Sequence, residues 1–238
     1  MYSLFLIDSL PTSGTYQLTG DEAHHAIKVL RVEMGERVHL SDGKGNWASG
    51  TVSAIEKKSL AIEIKEAGFE APEATQVIAI QAIPKGDRVR EAIELLTEAG
   101  VDEIAPWQAH RSIGKSEKGS DKWRVAAREA TKQSRRFWIP TVHDVATTKE
   151  LLTMISGSAC ILLHESATHK ISEVAQSFGA NTSKIYLIIG PEGGITDSEI
   201  ELFVAAGAKI AHLGRPILRS AHAGIAAIAA IKSARGIW

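Results

Sequence analysis

Short apolar and β-branched runs, separated by turn-forming residues, fill about the first 70 positions of the chain. Four of these runs predict strands, at residues 5–7, 37–40, 48–52 and 60–64. The run Asp-Gly-Lys-Gly-Asn at 42–46 supplies the clearest turn between them. Strand–turn units this close together are typical of a small β-barrel.

One helix is predicted to interrupt these strands. Thr19 can cap its first turn, and Glu22, three residues later, completes the spacing of a capping box. Residues 67–75 contain Gly68, Pro72 and two acids, which indicates a linker. We therefore expect an N-terminal domain over residues 1–70 and a second domain over residues 75–238.

The pattern changes after the linker, where buried-strand runs alternate with helical periodicity. Strands are predicted at 77–80, 101–105, 159–163, 185–189 and 209–213. Helices are predicted at 86–99, 121–136, 171–178, 197–206 and 221–234, with Gly100 ending the first of them. Alternation of this kind predicts an α/β fold with a parallel sheet.

Composition and charge narrow the possible functions. Of 238 residues, 44% are hydrophobic and 23% charged, as in ordinary globular proteins, and the net charge of −1 means that any nucleic-acid surface must be a local patch. Cys160, the single cysteine, excludes an internal disulfide and is expected to be a small buried hydrophobe. No signal peptide or membrane-length apolar run is evident, so we expect a cytoplasmic protein without a membrane partner.

The first candidate site is the run Ile-Gly-Pro-Glu-Gly-Gly at 189–194, directly after a predicted strand. Ligands of open α/β sheets bind at the carboxyl ends of strands, and glycines let them approach the backbone. Thr196 and Glu199 have capping-box spacing for the helix that follows. The spacing matches neither a Walker A loop nor Gly-x-Gly-x-x-Gly, and a tight turn serving only the fold remains the alternative.

The second candidate is the loop at 213–220, again between a strand and a helix. If both loops lie on one edge of the sheet, they can form two walls of one pocket. Arg219 precedes the final helix, where the partly positive helix end disfavours a cation. We therefore expect an anion nearby, with a surface arginine as the alternative.

The third candidate is a basic stretch from His110 to Arg136, in which nine cations face three acids. The cations are Arg111, Lys115, Lys118, Lys122, Arg124, Arg128, Lys132, Arg135 and Arg136. Trp123, Phe137 and Trp138 lie among them and can stack on unpaired bases. The stretch favours RNA binding over a merely solvated helix face.

The fourth candidate is the segment from His24 to Arg31. Adjacent His24 and His25 do not converge on a helix and no set of carboxylates accompanies them, so we expect no metal site. Lys28 and Arg31 are three residues apart and can share one phosphate.

Taken in order, the motifs of this chain resemble the bacterial small-subunit ribosomal RNA uracil N3-methyltransferases, the RsmE family. The matching pieces are 24–31, 81–88, 97–104, Trp123, 128–130, 133–134, Arg136, Pro140, 190–194 and 213–219. The resemblance covers nearly the whole chain. It implies a PUA-like N-terminal barrel and a C-terminal SPOUT domain with a trefoil knot, S-adenosylmethionine as the methyl donor, 16S ribosomal RNA of the small subunit as the substrate, and a homodimer.

The resemblance implies the donor-binding residues, whereas the RNA-contacting and catalytic residues are candidates argued from their charge. The donor is expected at Leu163, His164, Glu165, Ile189, Gly190, Pro191, Glu192, Gly193, Gly194, Leu213, Gly214, Ile217 and Leu218. The cations expected to contact RNA are Lys28, Arg31, Lys85, Arg88, Arg124, Arg128, Lys132 and Arg135. Arg136 and Arg219 are expected to be catalytic, by stabilising negative charge on the uracil ring as N3 loses its proton.

Three positions depart from the family pattern. The usual Gly-Pro-Arg is Gly-Arg-Pro at 214–216, and the usual Thr-Glu-Thr after the last arginine is Ser-Ala-His at 220–222. No carboxylate can therefore act as base at Ala221, and Glu192, His222 and water remain candidates. The usual glycine after Gln-Ser is Arg135.

Two other functions remain open from the sequence. One is another SPOUT reaction, ribose 2′-O-methylation. The other is a non-catalytic RNA-binding factor in ribosome assembly, which would keep the basic patch but not need the glycine-lined pocket.

Overall fold

The computed structural model describes residues 2–86, 88–113 and 120–238. Its contacts divide the chain into two compact units. The N-terminal unit comprises Met1–Pro72 together with Thr131–Ile139, and the C-terminal unit comprises Glu73–Ala130 together with Pro140–Trp238.

The N-terminal unit is a five-stranded curled sheet in the order β1-β3-β4-β5-β2. Its strands are β1 (Ser3–Leu6), β2 (Thr15–Leu18), β3 (Arg37–Ser41), β4 (Asn46–Ile55) and β5 (Leu60–Phe69). All pairs are antiparallel except β1 with β3. Alternate residues face inward and form one core, so the predicted small β domain is confirmed. The sequence pattern missed β2, and β5 extends into the expected linker.

The helix of this unit differs from its prediction. Helix α1 (Gly20–His24) continues as a π-helical segment (His25–Leu30) that ends at Arg31 in the left-handed conformation. Thr19 makes no side-chain capping hydrogen bond, so the predicted capping box is wrong. Glu22 is instead paired with Lys132, at 3.2 Å.

Residues 131–139 belong to the N-terminal unit because they pair with the turn between β3 and β4. The Gly45 N–H donates to the carbonyl of Phe137, and the Ile139 N–H donates to that of Gly43, both at 2.9 Å. The Ser41 hydroxyl lies 3.2 Å from the Phe137 carbonyl. A segment distant in sequence thus completes this unit.

The C-terminal unit is built on a seven-stranded sheet in which the paired strands run parallel. Its main path has the order β12-β10-β11-β6-β7-β8, with β9 pairing β7. The strands are β6 (Gln76–Ala82), β7 (Glu103–Gln108), β8 (Thr141–Val142), β9 (Ala146–Thr147), β10 (Ala159–Leu163), β11 (Lys184–Ile189) and β12 (Lys209–Ala211). The predicted parallel α/β fold is confirmed.

Helices pack against this sheet through two clusters of buried apolar residues. They are α2 (Arg88–Glu98), α3 (Asp121–Ser134, whose last turn belongs to the N-terminal unit), α4 (Thr148–Ile155), α5 (Ile171–Gln176), α6 (Asp197–Ala205) and α7 (Ser220–Ala234). All except α4 were expected from periodicity. Cys160 is fully buried on β10, which confirms its structural role, and burial raises the pKa of its thiol to about 12. No helix in the described ranges has both the length and the apolar character to span a bilayer.

Candidate functional site

The carboxyl ends of β12, β10, β11 and β6 lie side by side on one edge of the parallel sheet. The loops that follow β11 and β12 contain the two glycine-bearing candidate segments, and the end of β10 lies between them. Because parallel strands point the same way, the expected donor residues from all three loops are brought to this edge.

Several positions of the loop after β11 favour glycine. A Cβ at Gly190 would lie 2.7 Å from the Ile195 side chain, and one at Gly193 would lie 3.2 Å from the Arg111 backbone carbonyl. Gly194 has φ +77°, and its N–H donates to the Pro191 carbonyl at 2.9 Å. L-residues adopt this backbone conformation only with strain, so the loop depends on glycine for packing and for its turn.

Two buried side chains hold this loop from behind. The Ser220 hydroxyl, at the start of α7, donates to the Gly190 carbonyl at 2.6 Å. The Gln81 amide, at the end of β6, donates to the Ser220 hydroxyl at 3.0 Å and to the Ala82 carbonyl at 2.9 Å. Sequence reasoning assigned neither role, although an amide in an otherwise apolar strand was a usable signal.

Glu192, at the tip of the loop, is engaged by the segment after β6. Its carboxylate accepts from the Lys85 N–H at 3.4 Å and lies 3.6 Å from the Arg88 guanidinium. Lys85 and Arg88, two of the cations expected to contact RNA, therefore belong to a segment that contacts the glycine loop through Glu192. Glu192 is paired with Arg88, and the described residues give Arg219 no ion-pair partner.

The far end of the same loop is fixed by Glu199. As predicted, Thr196 and Glu199 form a capping box at the start of α6. The other Glu199 oxygen accepts from the His110 N–H at 2.9 Å and from the Thr148 hydroxyl at 3.3 Å. Burial would raise the pKa of Glu199, but these hydrogen bonds outweigh it and hold the pKa below its ordinary value.

The loop after β12 presents apolar side chains to solvent. Ile217 is 78% exposed and Leu218 is 40% exposed. Arg219 is exposed and occupies the N-cap of α7 without a side-chain capping bond. Exposed aliphatic groups beside a glycine-lined turn suit a ligand that has an apolar ring as well as polar groups.

The end of β10 is tied to β12 at the same edge. The His164 N–H donates to the Ala211 carbonyl at 3.0 Å, and His164 Nδ1 lies 2.7 Å from the Ser166 hydroxyl. Glu165, the next residue, is exposed. His222, a candidate base, lies on α7 with Nε2 3.1 Å from a Glu91 carboxylate oxygen.

The expected RNA contacts in the C-terminal unit are partly offset by acids. The Arg124 guanidinium lies 2.9 Å from Asp121 and 2.7 Å from Asp144. Arg128 is half-buried on α3. Trp123 was expected to offer a ring to RNA, which is wrong because it is 3% exposed and belongs to the core. Lys115 and Lys118 of the basic stretch lie outside the described residues.

The N-terminal unit carries the remaining expected contacts. Lys28 and Arg31 are exposed, but Arg31 ends the π-helical segment with φ 54°, so the two are not successive residues on one α-helical face. Lys132 is 8% exposed and paired with Glu22, so its charge is not available to a phosphate. We therefore no longer include Lys132 among the proposed RNA contacts. Arg135 is exposed, and Arg136 is half-buried with its N–H donating to the Thr131 carbonyl.

Metal ligation finds no support in the described part of the chain, where no three His, Cys, Asp or Glu side chains are grouped to hold an ion. The site instead consists of backbone turns, apolar side chains and cations. A parallel sheet with such loops at one edge, together with a separate small β unit, defines the class of protein.

The class is that of RNA methyltransferases. Residues 71–232 match the model of an RNA methyltransferase domain, and residues 18–65 match that of an RNA methyltransferase PUA domain. Ribosomal RNA small subunit methyltransferase E of Mycobacterium bovis is 35% identical, with 99% of this chain and 93% of that protein covered.

Solved structures agree with the sequence relatives. Ribosomal RNA small subunit methyltransferase E of Neisseria gonorrhoeae, bound to S-adenosyl methionine, is 27% identical, with 98% of each chain covered and a TM-score of 0.85. A Legionella pneumophila putative methyltransferase in complex with the same cofactor is 25% identical, with 98% of this chain and 97% of that chain covered and a TM-score of 0.83. The chain therefore belongs to the ribosomal RNA small subunit methyltransferase E family.

Proposed function

We propose that this protein transfers the methyl group of S-adenosylmethionine to N3 of a uridine in 16S ribosomal RNA of the small subunit. The observation that carries the proposal is the braced glycine loop at residues 190–194, within a chain that matches the methyltransferase E family over nearly its whole length. We also propose that the protein acts as a cytoplasmic homodimer and that the loops of this edge belong to a trefoil knot.

The residues at this edge fit the donor. The glycines of the loop let the donor approach the backbone closely, while the exposed Ile217 and Leu218 side chains suit the flat faces of its adenine ring. When bound, S-adenosylmethionine supplies an activated methyl group, so the protein mainly has to align two reactants. Leu163, His164 and Glu165 complete the proposed binding set from the end of β10.

Uracil N3 carries a proton, and losing it leaves negative charge on the ring. We propose that Arg219, which is exposed at the start of α7 and has no ion-pair partner among the described residues, stabilises this charge. We propose Arg136 as the second stabilising cation. The target base must also leave its stack before N3 can be reached.

The proposal is tested with small subunits from a strain lacking this gene. Purified protein and S-adenosylmethionine should restore one 3-methyluridine in the 16S RNA, detected by mass spectrometry of nucleosides. A ribose-methylated nucleoside would instead identify the 2′-O reaction. Absence of donor binding by calorimetry would favour a non-catalytic assembly factor, and sedimentation of the same protein tests the dimer.

A further inference from the structure

A small pocket lies on the N-terminal unit and includes none of the residues of the proposed methyl-donor site. We call it the ring pocket, and its lining residues are Tyr2, Leu4, His39, Arg135 and Phe137. Its volume is about 210 Å³, below the roughly 300–1,000 Å³ of pockets for drug-sized ligands. A cavity of this size suits a single flat ring rather than a large ligand.

Aromatic rings dominate the walls. The His39 ring lies 5.4 Å from Tyr2 and 5.7 Å from Phe137, measured between centroids, and Phe137 is stacked on Trp47 at 5.6 Å with an interplanar angle of 16°. Leu4 is buried at 4% exposure, whereas Tyr2 is 41% exposed. The pocket therefore has a fixed apolar floor and an accessible aromatic rim.

The surroundings of His39 favour the neutral form of its imidazole by lowering its pKa. Burial lowers its pKa, the nearby Arg37 and Arg135 lower it further, and Glu66 only partly opposes them. A neutral ring adds to the stacking surface, so the charge at the pocket comes from arginine.

Arg135 is held in an unfavourable backbone conformation. Its φ of 56° lies in the left-handed region, which glycine adopts freely and which costs other residues free energy. The Arg135 side chain lines the ring pocket and is exposed. The backbone N–H of Arg135 donates to the Lys132 carbonyl at the end of α3. This φ belongs to the turn that ends α3, in which the backbone N–H of Arg136 donates to the Thr131 carbonyl at 3.1 Å, and the Arg135 guanidinium beside aromatic faces is suited to a nucleotide.

We propose that the ring pocket binds one unstacked base of single-stranded RNA, with Arg135 at the neighbouring phosphate. The aromatic rim supplies a stacking surface that tolerates any base, and the cation supplies the backbone contact. The proposal rests on the proposed function in taking RNA as the ligand. It adds an RNA contact on the N-terminal unit.

The test uses the full-length protein and two fluorescent RNAs of equal charge, a uridine decamer and a fully abasic decamer. Fluorescence anisotropy should show that the wild type binds the uridine decamer more tightly. Tyr2→Ala should weaken uridine-decamer binding by roughly fivefold or more and leave abasic binding within about twofold, because only a base can stack. Tyr2→Leu, which keeps an apolar side chain, should behave in the same way.

Arg135→Gly should weaken the binding of both RNAs. The slope of log affinity against log salt concentration should fall by about 0.7, the value for one lost phosphate contact on a single strand. Glycine accepts the local φ without strain, so this variant should fold. Phe69→Ala is the matched control, because Phe69 is an exposed aromatic of the same unit outside the pocket, at 58% exposure, and its loss should change neither affinity.

Equal wild-type affinity for the two decamers, or unchanged uridine-decamer binding by both Tyr2 variants, would overturn the proposal. An equal loss on both RNAs in the Tyr2 variants would also overturn it, since a base contact cannot act on abasic RNA. Methyl transfer is judged separately on small subunits. A protein that binds the uridine decamer more tightly than the abasic decamer but leaves 16S RNA unmethylated would support base binding by the ring pocket and refute the proposed methyl transfer.

Discussion

Ser220→Ala removes the hydroxyl that links the Gly190 carbonyl to the Gln81 amide. The Gln81 amide keeps its bond to the Ala82 carbonyl, but the Gly190 carbonyl loses a donor at 2.6 Å. Leaving such a group unsatisfied costs about 1–3 kcal/mol, and the lost Gln81–Ser220 bond adds about 1 kcal/mol. We therefore expect the free energy of unfolding to fall by about 2–4 kcal/mol.

Two measurements follow from this magnitude. At about 2–4 °C per kcal/mol for a domain of this size, the melting temperature should fall by roughly 4–16 °C. Because the loop loses its brace, the affinity for S-adenosylmethionine measured by calorimetry should fall by about tenfold, which corresponds to about 1.4 kcal/mol.

Ser220→Thr is the control for this experiment. Threonine retains the hydroxyl and should keep both the melting temperature and the donor affinity near wild-type values. A Ser220→Ala protein with an unchanged melting temperature and unchanged donor affinity would show that the hydroxyl does not brace the loop.

Four further predictions concern other parts of the two units. Gly194→Val should abolish donor binding in calorimetry, because φ of +77° strains a β-branched residue, and wild-type affinity in a folded variant would contradict this. Arg219→Ala should slow methyl transfer by about 10²–10³ while the donor dissociation constant stays within about twofold, and a near-normal rate would exclude the charge-stabilising role. The pKa of Glu199 is lower in the folded protein than its ordinary value of 4.5, so the ionised carboxylate stabilises the fold above that pH. The free energy of unfolding, measured by urea titration, should therefore decline as pH falls below about 4.5, and Glu199→Gln should show a shallower decline. Replacing Lys28 and Arg31 with alanine should flatten the salt dependence of RNA binding by about one unit per lost phosphate contact without altering donor affinity, and an unchanged slope would remove both from the RNA surface.

Patterns confined to a few neighbouring residues predicted much of the fold. The capping box of Thr196 and Glu199 formed as expected, since both partners lie within one helical turn. The box at Thr19 failed because Glu22 is paired with Lys132, a residue 110 positions away. The same local signal is present at α4, a helix that periodicity did not predict, where Thr147 and Glu150 form a capping box.

Burial separated residues that composition had grouped together. Trp123 and Phe137 both interrupt the basic stretch, yet Trp123 is in the core of the C-terminal unit whereas Phe137 lines a pocket of the N-terminal unit. Charge counting along the chain cannot distinguish them, because residues 131–139 pack with a unit whose other residues end at Pro72. The assignment of Lys132 to the RNA surface failed for the same reason.

The glycine loop is a feature that local sequence patterns predict only in part. A strand followed by Gly-Pro-Glu-Gly-Gly predicts from sequence a tight turn that is a candidate ligand site, because glycine permits backbone conformations and close contacts that other residues do not. What holds that turn in place comes from Gln81 and Ser220, which are 139 residues apart and meet only because β6 lies beside β11 while α7 begins at the same edge. A glycine loop without its braces would adopt more conformations, so donor affinity should depend on these two buried polar groups as well as on the glycines.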